Sequence, residues 1–459
     1  MGPAVAVQYA RENKQRFLDE LKTLCAIPSI STDPAYNPEI QQVAEWIAVK
    51  LRSFGAENVQ ILPTEGHPVV YGEILKAGPN AKTILIYGHY DVQPAESQTL
   101  KSWESDPFTP TVRGENLYGR GVTDMKGQIM ACINAVEAVT HQGDFPVNIK
   151  FMIEGEEEIG SEHLENFIIK HKELLACDYV LNADTGMVNP DMPTITYALR
   201  GLYAFELRVY GPQKDLHSGS FGGTIHNPAQ ALCELIAGMH DDQGRITLPG
   251  FYEKVQPLSE EERAQLARLP RDENFYLSET GAPSLWGETG YTPEERVTAR
   301  PTLEINGLYS GFTGEGSKTV LPAYAMAKIS CRLVPNQDAE EVHKQIEIYL
   351  QSHAPATIRW ELINARGNPA TLSNRNSPAI KAIRKAFETV WHTQPVFKRE
   401  GGSVAAVLHM QKHLRVDTIN TGFCLPDDGM HGPNEKLHLP TWYKGTEALI
   451  HFFYNLANI

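Results

Sequence analysis

Short apolar runs that alternate with helical patterns are the feature that most constrains the fold of this chain. Thr83–Tyr87 contains almost no polar interruption, which is typical of a strand covered on both faces of a sheet. Further strand candidates at Asn148–Ile153 and Tyr179–Asn182 are separated by helical stretches near Met125–Thr140 and Glu162–Leu174. Strands and helices that alternate at this spacing predict an α/β layered domain, in which helices flank a mixed sheet.

The middle of the chain has a different pattern. Tyr203–Tyr210 and Tyr324–Val334 alternate between apolar and polar residues, as expected of half-exposed strands, and helical patterns follow both of them. Between them a polar stretch rich in Pro and Gly, Leu248–Pro301, is expected to run over the surface. A strand and a helix that occur before and after this stretch predict a small α+β sandwich.

The length of the chain, 459 residues, is too great for one compact core. Amphipathic patterns predict two helices at its start, near Val7–Cys25 and Glu39–Phe54, and helices return after about Asn368. We therefore predict a discontinuous domain made of residues 1–198 and 371–459, with a second domain, residues 199–370, inserted in its middle.

Charge and composition exclude several classes of protein. The chain has 41 basic and 56 acidic residues, and a net charge of −15 repels a phosphate backbone, so nucleic-acid binding is a poor hypothesis. No apolar run approaches the roughly 20 residues of a membrane span, and the N-terminal residues do not form a signal peptide. Six cysteines without a CxxC pair indicate buried, reduced thiols. We predict a cytoplasmic protein that binds neither membranes nor nucleic acid.

Metal-ligand residues collect in five places, most of them where a predicted strand ends. The five segments are Gly88–Val92, Gly119–Gly127, Glu154–Ser161, Asn182–Gly186 and Pro426–Glu435. Ligand sites of α/β sheets lie at the carboxyl ends of the strands, so we expect these segments to meet. Histidine and carboxylate donors without a thiolate suit zinc or manganese, and they argue against a structural zinc site.

Each segment taken alone also has a simpler interpretation. His89 could be a structural histidine, Asp124 could cap a helix, and the acidic residues 154–158 could form a solvated loop. However, the glycines around Asp124 imply an unusual backbone, and four neighbouring carboxylates repel one another unless cations neutralise some of them. Residues two apart in an extended segment project the same way, so Asp91 could fix the tautomer of His89.

Six segments in a fixed order resemble the M20 metallopeptidases, and most of all the branch of carnosinases and cytosolic non-specific dipeptidases. They read GHYDVQP, GRGVTDMKG, EGEEEIGSE, NADTG, DLHSGSFGG and DDGMHGPNE. The resemblance extends from about Phe17 to Leu456. It implies that the discontinuous domain is a di-metal catalytic domain and that the inserted α+β domain is a lid and dimerisation domain.

The resemblance also implies roles at a metal centre. Two divalent cations, with zinc favoured and manganese possible, would be bound by five ligands: His89, Asp124, Glu158, Asp184 and His431. Asp124 would bridge the two cations, and the peptide bond that follows it would be cis. Glu157 would be the general base that activates the water, and Asp91 would orient His89.

The remaining implied roles concern the substrate. His217 would reach the active site of the partner subunit and stabilise the oxyanion, which requires a homodimer. Arg332 would bind the substrate carboxylate, because its planar fork can bind a carboxylate through two hydrogen bonds. Thr319, Gly402 and Ser403 would line the substrate pocket. Without the resemblance, His217 is an ordinary surface histidine and Arg332 an ordinary ion-pairing residue.

The resulting hypothesis is hydrolysis of the peptide bond in dipeptides or short peptides. In the M20 family, aspartate at the position of Asp184 tends to accompany aminopeptidases and dipeptidases, whereas glutamate accompanies deacylases. An N-acyl or N-carbamoyl amino-acid amidohydrolase is the alternative among hydrolases, because it needs the same metals and Arg332. A catalytically silent binding protein is the alternative from another class. The presence of all the predicted ligands and of the base argues against it, whereas purified protein without stoichiometric metal would favour it.

Overall fold

The computed structural model describes residues 2–95, 100–141, 143, 145–402 and 404–459. Its α-helices are α1 Ala4–Glu12, α2 Lys14–Cys25, α3 Asn37–Ser53, α4 Lys126–Thr140, α5 Leu164–Lys170, α6 Ser218–Phe221, α7 Pro228–Ala237, α8 Glu260–Leu266, α9 Glu273–Thr280, α10 Pro293–Thr298, α11 Ala339–His353, α12 Pro378–Trp391, α13 Ala405–Leu414 and α14 Leu439–Ala457. Short 3₁₀ segments occur at Pro34–Tyr36, Leu100–Ser102 and Glu157–Ile159.

The strands are β1 Glu57–Leu62, β2 Val69–Ile74, β3 Thr83–His89, β4 Thr111–Arg113, β5 Asn116–Tyr118, β6 Asn148–Glu154, β7 Tyr179–Asn182, β8 Thr194–Leu199, β9 Gly201–Tyr210, β10 Leu216–His217, β11 Thr302–Ser310, β12 Val320–Leu321, β13 Tyr324–Leu333, β14 Arg359–Asn368, β15 Thr371–Leu372, β16 Val396–Glu400, β17 Asp417–Asn420 and β18 Lys436–His438. These elements fold into two compact units. The first contains residues 1–197, 373–398 and 404–459, and the second contains residues 198–372 and 399–403.

A nine-stranded mixed sheet organises the first unit, and this architecture confirms the predicted α/β class. Its strands follow the order β1-β2-β6-β3-β7-β17-β8-β15, and β16 also pairs with β8. The central strands β6, β3, β7 and β17 are parallel to one another. Because the carboxyl ends of parallel strands meet at one edge, the residues that follow β3, β6 and β7 come together there.

Helices cover both faces of the central strands. Leu85 and Tyr87 of β3 pack in one apolar cluster with residues of α5 and α13, whereas the alternate residues of β3 point to the opposite face. On that face Gly88 lies against Ile129 of α4, and a Cβ atom on this glycine would approach the Ile129 side chain to 2.9 Å. The helix α4 is buried nearly throughout, which explains its almost continuous apolar sequence.

The second unit is an α+β sandwich. Its antiparallel sheet has the order β11-β13-β9-β14, and α7 and α11 pack on it. The strand β9 alternates strictly between buried and half-buried residues, as its sequence predicts. Leu207 and Val209 of β9, Ile329 of β13 and Ile346 of α11 contribute to a single apolar core.

Residues 399–403 depart from the predicted division, because they group with the second unit instead of the last part of the chain. Hydrogen bonds and an ion pair hold them there. The backbone N–H of Arg200 donates to the carbonyl oxygens of Glu400 and Gly402, at 3.3 and 3.1 Å. Arg399 also forms an ion pair with Glu262, with the nitrogen and oxygen atoms 2.6 Å apart.

Three local predictions are wrong. The helix predicted at Val7–Cys25 is two helices, because Asn13 has a non-helical backbone with φ −100° and ψ 11°. The stretch Leu248–Pro301 contains α8, α9 and α10 and buries charged residues such as Arg300, so it is not only a surface excursion. Asp124 does not cap a helix, since α4 begins at Lys126 with Met125 in the capping position.

The burial of the cysteines agrees only partly with the prediction. All six cysteines are free thiols. Four of them are buried as predicted, but Cys177 is half-buried and Cys233 is exposed, so the prediction of burial is wrong for Cys233.

Within the described residues, no helix combines the length and apolar character needed to cross a membrane.

Candidate metal centre

His89 stands at the carboxyl end of β3, in the middle of the parallel strands. Its side chain has no solvent exposure, because β6 and β7 flank β3 on both sides. The Nδ1 atom lies 3.0 Å from the carbonyl oxygen of Asp91 and 3.2 Å from the Asp91 carboxylate. These acceptors fix the N–H on Nδ1, so that Nε2 points its lone pair in the opposite direction.

A buried ion pair shapes the loop that carries Asp124. The Glu435 carboxylate accepts hydrogen bonds from the backbone N–H groups of Gly121, Thr123 and Asp124, at 3.0, 3.0 and 3.2 Å. The Arg120 side chain lies 2.7 Å from the same carboxylate. The peptide bond between Asp124 and Met125 is cis, in agreement with the prediction. Glu435 thus fixes the backbone from which the Asp124 side chain projects.

The two oxygen atoms of Asp124 face two different imidazoles. Its Oδ1 lies 3.2 Å from Nε2 of His89, and its Oδ2 lies 3.0 Å from Nε2 of His431. Asp184 lies 4.0 Å from the same His89 nitrogen, and Glu158 lies 3.3 Å from the same His431 nitrogen. Asp124 therefore belongs to two three-residue groups, and within each group the donor atoms lie within 4.8 Å of one another.

The acidic segment after β6 separates into site residues and structural residues. The Asp91 carboxylate accepts the backbone N–H groups of Glu157 and Glu158, at 3.2 and 3.1 Å, which holds this turn beside His89. In contrast, Glu154 accepts hydrogen bonds from Tyr87 and Ser161, at 2.7 and 3.0 Å. Glu156 lies 3.0 Å from Nδ1 of His163.

Like charges dominate the electrostatics of this centre. Burial raises the pKa of Asp184, and the charges of Asp124 and Glu158 raise it further, although His89 opposes them. Burial likewise raises the pKa of Glu157, where the charges of Asp184 and Asp124 again add to the effect and His89 opposes it. Hydrogen bonding to Asp124 and Glu158 raises the pKa of His431 to about 10. Negative charge is therefore concentrated around the two imidazoles.

Two divalent cations fit this set of residues. The centre contains carboxylates at positions 91, 124, 157, 158 and 184 and imidazoles at positions 89 and 431, so negative charge is in excess. Carboxylate and imidazole donors with no thiolate suit zinc or manganese. The shared Asp124 offers one oxygen to each group, which is the arrangement a bridging ligand needs.

The predicted substrate-binding residues belong to the second unit. His217 is exposed, and its Nδ1 accepts a hydrogen bond from Gly219 N at 3.0 Å. Thr319 and Gly402 are exposed as well, and Ser403 lies outside the described residues. Arg332 lines a cavity of about 380 Å³ within this unit, together with Arg200 and Glu304. Burial and the charge of Arg332 lower the pKa of Arg200 to about 10.

Three residues that support the centre were not predicted from the sequence. They are Glu435, Asp428 and Gln93. Asp428 accepts hydrogen bonds from Thr123 Oγ1 and Leu425 N, at 2.9 and 2.7 Å. Gln93 donates a hydrogen bond to Glu158 at 2.8 Å. Burial raises the pKa of Asp428 to about 7. The only signal was that Asp428 and Glu435 flank His431 in the same segment. Gln93 lies in the motif GHYDVQP, which contributes to the family resemblance, but it was given no role.

Comparison with known proteins is consistent with this geometry. The chain is 32% identical to the Cys-Gly metallodipeptidase dug1 of Schizosaccharomyces pombe, and the alignment covers 98% of this chain and 97% of that protein. It superposes on human carnosine dipeptidase 1 with a TM-score of 0.78 and 31% identity, over 100% of this chain and 99% of that one. It superposes on the M20 family metallo-carboxypeptidase Sso-CP2 from Sulfolobus solfataricus with a TM-score of 0.80 and 30% identity, over 96% and 99% of the two chains. Residues 85–455 match the model of peptidase family M20/M25/M40, and the chain belongs to that family.

Proposed function

We propose that this M20 peptidase hydrolyses the peptide bond of dipeptides with two divalent cations bound at the centre around Asp124. The observation that carries the proposal is the position of Asp124, whose two oxygens face imidazoles from two distant segments. The names of the relatives support the substrate class, because the Schizosaccharomyces pombe protein is a metallodipeptidase and the human one a dipeptidase.

Five residues would hold the cations. His89 and Asp184 would bind one, Glu158 and His431 would bind the other, and Asp124 would bridge them. Bound divalent cations, zinc or manganese on this donor set, polarise a carbonyl and lower the pKa of water toward about 7. Asp91 is a positioning residue in this scheme, because its carboxylate contacts His89 and holds the turn of Glu157 and Glu158.

Glu157 would carry the proton during hydrolysis. Its carboxylate takes a proton from the attacking water as the new carbon–oxygen bond forms, and then gives it to the nitrogen of the breaking peptide bond. Burial and the neighbouring carboxylates already raise the pKa of this group, which supports a residue that has to accept and return a proton. The Asp91 carboxylate accepts a hydrogen bond from the backbone N–H of Glu157, and so fixes the backbone from which the Glu157 side chain projects.

His217 would act on the active site of the partner subunit in a homodimer. Because Nδ1 of His217 accepts a hydrogen bond from Gly219, the imidazole proton lies on Nε2, from which it can be donated to an oxyanion. Thr319 is placed beside it, since its carbonyl oxygen accepts the N–H of Ser218 at 3.1 Å. Sedimentation of the purified protein tests this arrangement, and a fully active monomer would contradict it.

Arg332 would bind the carboxylate of the substrate. It lines the cavity of the second unit beside Arg200, and two neighbouring guanidinium groups favour an anion between them. The carbonyl oxygen of Gly402 accepts a hydrogen bond from the backbone N–H of Arg200, so Gly402 lies beside a residue that lines the same cavity. We assign these residues to the substrate pocket.

We also propose that the protein works in the cytoplasm. The six free thiols support a reducing compartment, because cysteines of proteins in oxidising compartments commonly pair. Localisation of the tagged protein in cells tests this part of the proposal.

The experiment that tests the activity compares free dipeptides with their N-acylated and N-carbamoylated counterparts. Purified protein is stripped of metal, assayed, and assayed again after reloading with zinc or with manganese. We expect cleavage of free dipeptides that depends on metal and that is lost in Glu157→Gln. Cleavage of the acylated compounds alone would contradict the dipeptidase assignment and favour an amidohydrolase on the same centre.

A further inference from the structure

A second group of metal-ligand residues lies on the first unit, between two helices that the catalytic proposal does not use. Glu165 projects from α5, and His409 and His413 project from α13. The Glu165 Oε1 atom lies 2.7 Å from Nε2 of His413 and 3.7 Å from Nδ1 of His409. The donor atoms of the three residues all lie within 4.8 Å of one another.

The packing of the two helices keeps this group together. Phe167 and Ile168 of α5 share one buried apolar cluster with Ala406 and Met410 of α13. His409 and His413 are four residues apart, so their side chains emerge from the same face of α13, next to that cluster. The group is only partly accessible, with side-chain exposures of 17% for His409, 19% for His413 and 36% for Glu165. These positions are fixed by the core and not by the group itself.

The distances match a coordination sphere. A tetrahedral zinc ion with ligand bonds of about 2.0–2.1 Å separates its donor atoms by about 3.3 Å. In the structure, His413 and Glu165 are 2.7 Å apart, a hydrogen-bond distance, and His409 and Glu165 are 3.7 Å apart, so the two separations lie on either side of that value. In addition, Nδ1 of His409 is buried and has no hydrogen-bond partner among the described residues. A buried polar atom without a partner is costly, and a bound ion would satisfy it.

We propose that Glu165, His409 and His413 bind a divalent transition-metal ion of the zinc class, separate from the ions of the catalytic centre. Two imidazoles and one carboxylate form a common donor set for zinc, with the fourth position open to water. His413 also lies in the last turn of α13, where the helix dipole favours a cation. The ion joins α13 to α5, the helix that follows the turn of Glu157 and Glu158.

Lys412 is the natural competitor for this ion. Its ammonium nitrogen lies 2.8 Å from the same Glu165 oxygen, and its side chain is 60% exposed. Hydrogen bonds from Lys412 and His413 lower the pKa of Glu165 to about 2, although partial burial opposes them. The flexible stem of Lys412 allows the ammonium to move into solvent when a divalent ion replaces it.

The first test counts zinc in the full-length protein. Wild type, His413→Asn and His392→Asn are equilibrated with buffered zinc, and zinc per chain is measured by plasma mass spectrometry. His392 is an exposed histidine at the end of α12 with a left-handed backbone that asparagine also adopts, so it provides a matched control. We expect one zinc ion fewer per chain in His413→Asn and no change in His392→Asn. Equal counts in all three proteins would overturn the proposal.

The second test uses Lys412→Gln, which removes the competing charge and keeps all three ligands. Zinc binding at the group is followed by titration of protein whose catalytic centre is already loaded. We expect binding to tighten by about tenfold, the scale of repulsion between neighbouring charges in water. If Lys412 merely formed a structural ion pair with Glu165, the substitution would leave zinc binding unchanged, and the proposal would fail. Both tests compare variants, so their outcome is independent of how many ions the catalytic centre holds.

Discussion

The candidate metal centre and the ion network around Glu137 both bury carboxylates in the first unit, but they differ in the number of basic side chains that lie beside those carboxylates. In the network, Lys50 lies 2.6 Å from both Glu137 and Glu20, and Arg16 forms ion pairs with the same two carboxylates. Two basic groups thus balance two acidic ones. The metal centre combines five carboxylates with only two imidazoles.

The pKa values follow this difference. Burial alone would raise the pKa of Glu137, but hydrogen bonds from Arg16 and Lys50 outweigh it and lower the pKa below its ordinary value of 4.5. At the metal centre, burial and neighbouring carboxylates raise the pKa of Glu157 and Asp184, against the opposing charge of His89. A buried cluster in which basic side chains balance the carboxylates indicates a structural role. An excess of buried carboxylates over basic side chains indicates a site that binds cations from solution.

The largest effect is expected from Glu157→Gln, which removes the proposed proton carrier and keeps every proposed ligand. We expect kcat to fall by about 10²–10⁴-fold, the usual contribution of a general base, while two metal ions remain bound. Steady-state kinetics and metal analysis on the same preparation measure both quantities. Glu162→Gln, at an exposed position of the same segment, is the control and retains activity. Loss of metal from Glu157→Gln would place this residue among the ligands instead.

Glu137→Gln tests the other side of the comparison. Removal of one partner leaves the buried Lys50 and the half-buried Arg16 partly uncompensated, so we expect a loss of about 3–5 kcal/mol in the free energy of unfolding at neutral pH. Because the folded-state pKa of Glu137 is lowered, its contribution is present above the unfolded pKa and is lost as the pH falls through the folded pKa. The difference between wild type and variant should therefore stay constant from pH 8 to about 5 and shrink below 4.5.

Urea unfolding at a series of pH values measures this difference. Glu45→Gln serves as the control, because Glu45 is an exposed glutamate on α3 and its replacement should change stability by less than about 0.5 kcal/mol. A destabilisation by Glu137→Gln that did not vary with pH would mean that packing, and not charge, makes Glu137 important.

A smaller effect is expected from Asp91→Asn. Asparagine keeps the shape of the side chain, but it cannot accept both the N–H of Glu157 and the N–H of Glu158 while it contacts His89. Substitution of such a supporting carboxylate weakens metal binding by about 10–100-fold. Competition with a chelator of known affinity measures the change. Asp427→Asn, at a position 72% exposed, is the control. Unchanged affinity in Asp91→Asn would show that the Asp91 carbonyl oxygen alone orients His89.

The fold and the proposed ligands were accessible to sequence reasoning for identifiable reasons. The apolar run of β3 and the alternation in β9 are local patterns that reflect burial directly, and both strands occur where they were predicted. Asp124 and His431, in contrast, are 307 residues apart, and no periodicity connects them. Their meeting was expected because the order of six motifs resembles a known family.

What the sequence did not reveal depends on tertiary packing. Glu435 accepts hydrogen bonds from three backbone N–H groups of the loop that carries Asp124, and only the folded chain shows why a carboxylate is needed there. The break at Asn13 between α1 and α2 falls within an amphipathic pattern that continues across it. Likewise, the cluster of Glu165, His409 and His413 joins residues from two helices that look ordinary one at a time.

The smallest effect is expected from Arg11→Ala, which sharpens the comparison by removing an ion pair at the surface. Arg11 contacts both oxygens of Glu447, at 2.9 and 2.6 Å, but the Arg11 side chain is 56% exposed. Water and salt screen such a pair, so we expect a loss of at most about 1 kcal/mol in urea unfolding, and less at high salt. The effect of Glu137→Gln should depend less on salt, because Glu137 and Lys50 are buried. A loss from Arg11→Ala as large as that from Glu137→Gln would show that good geometry, rather than burial, determines what an ion pair contributes in this protein.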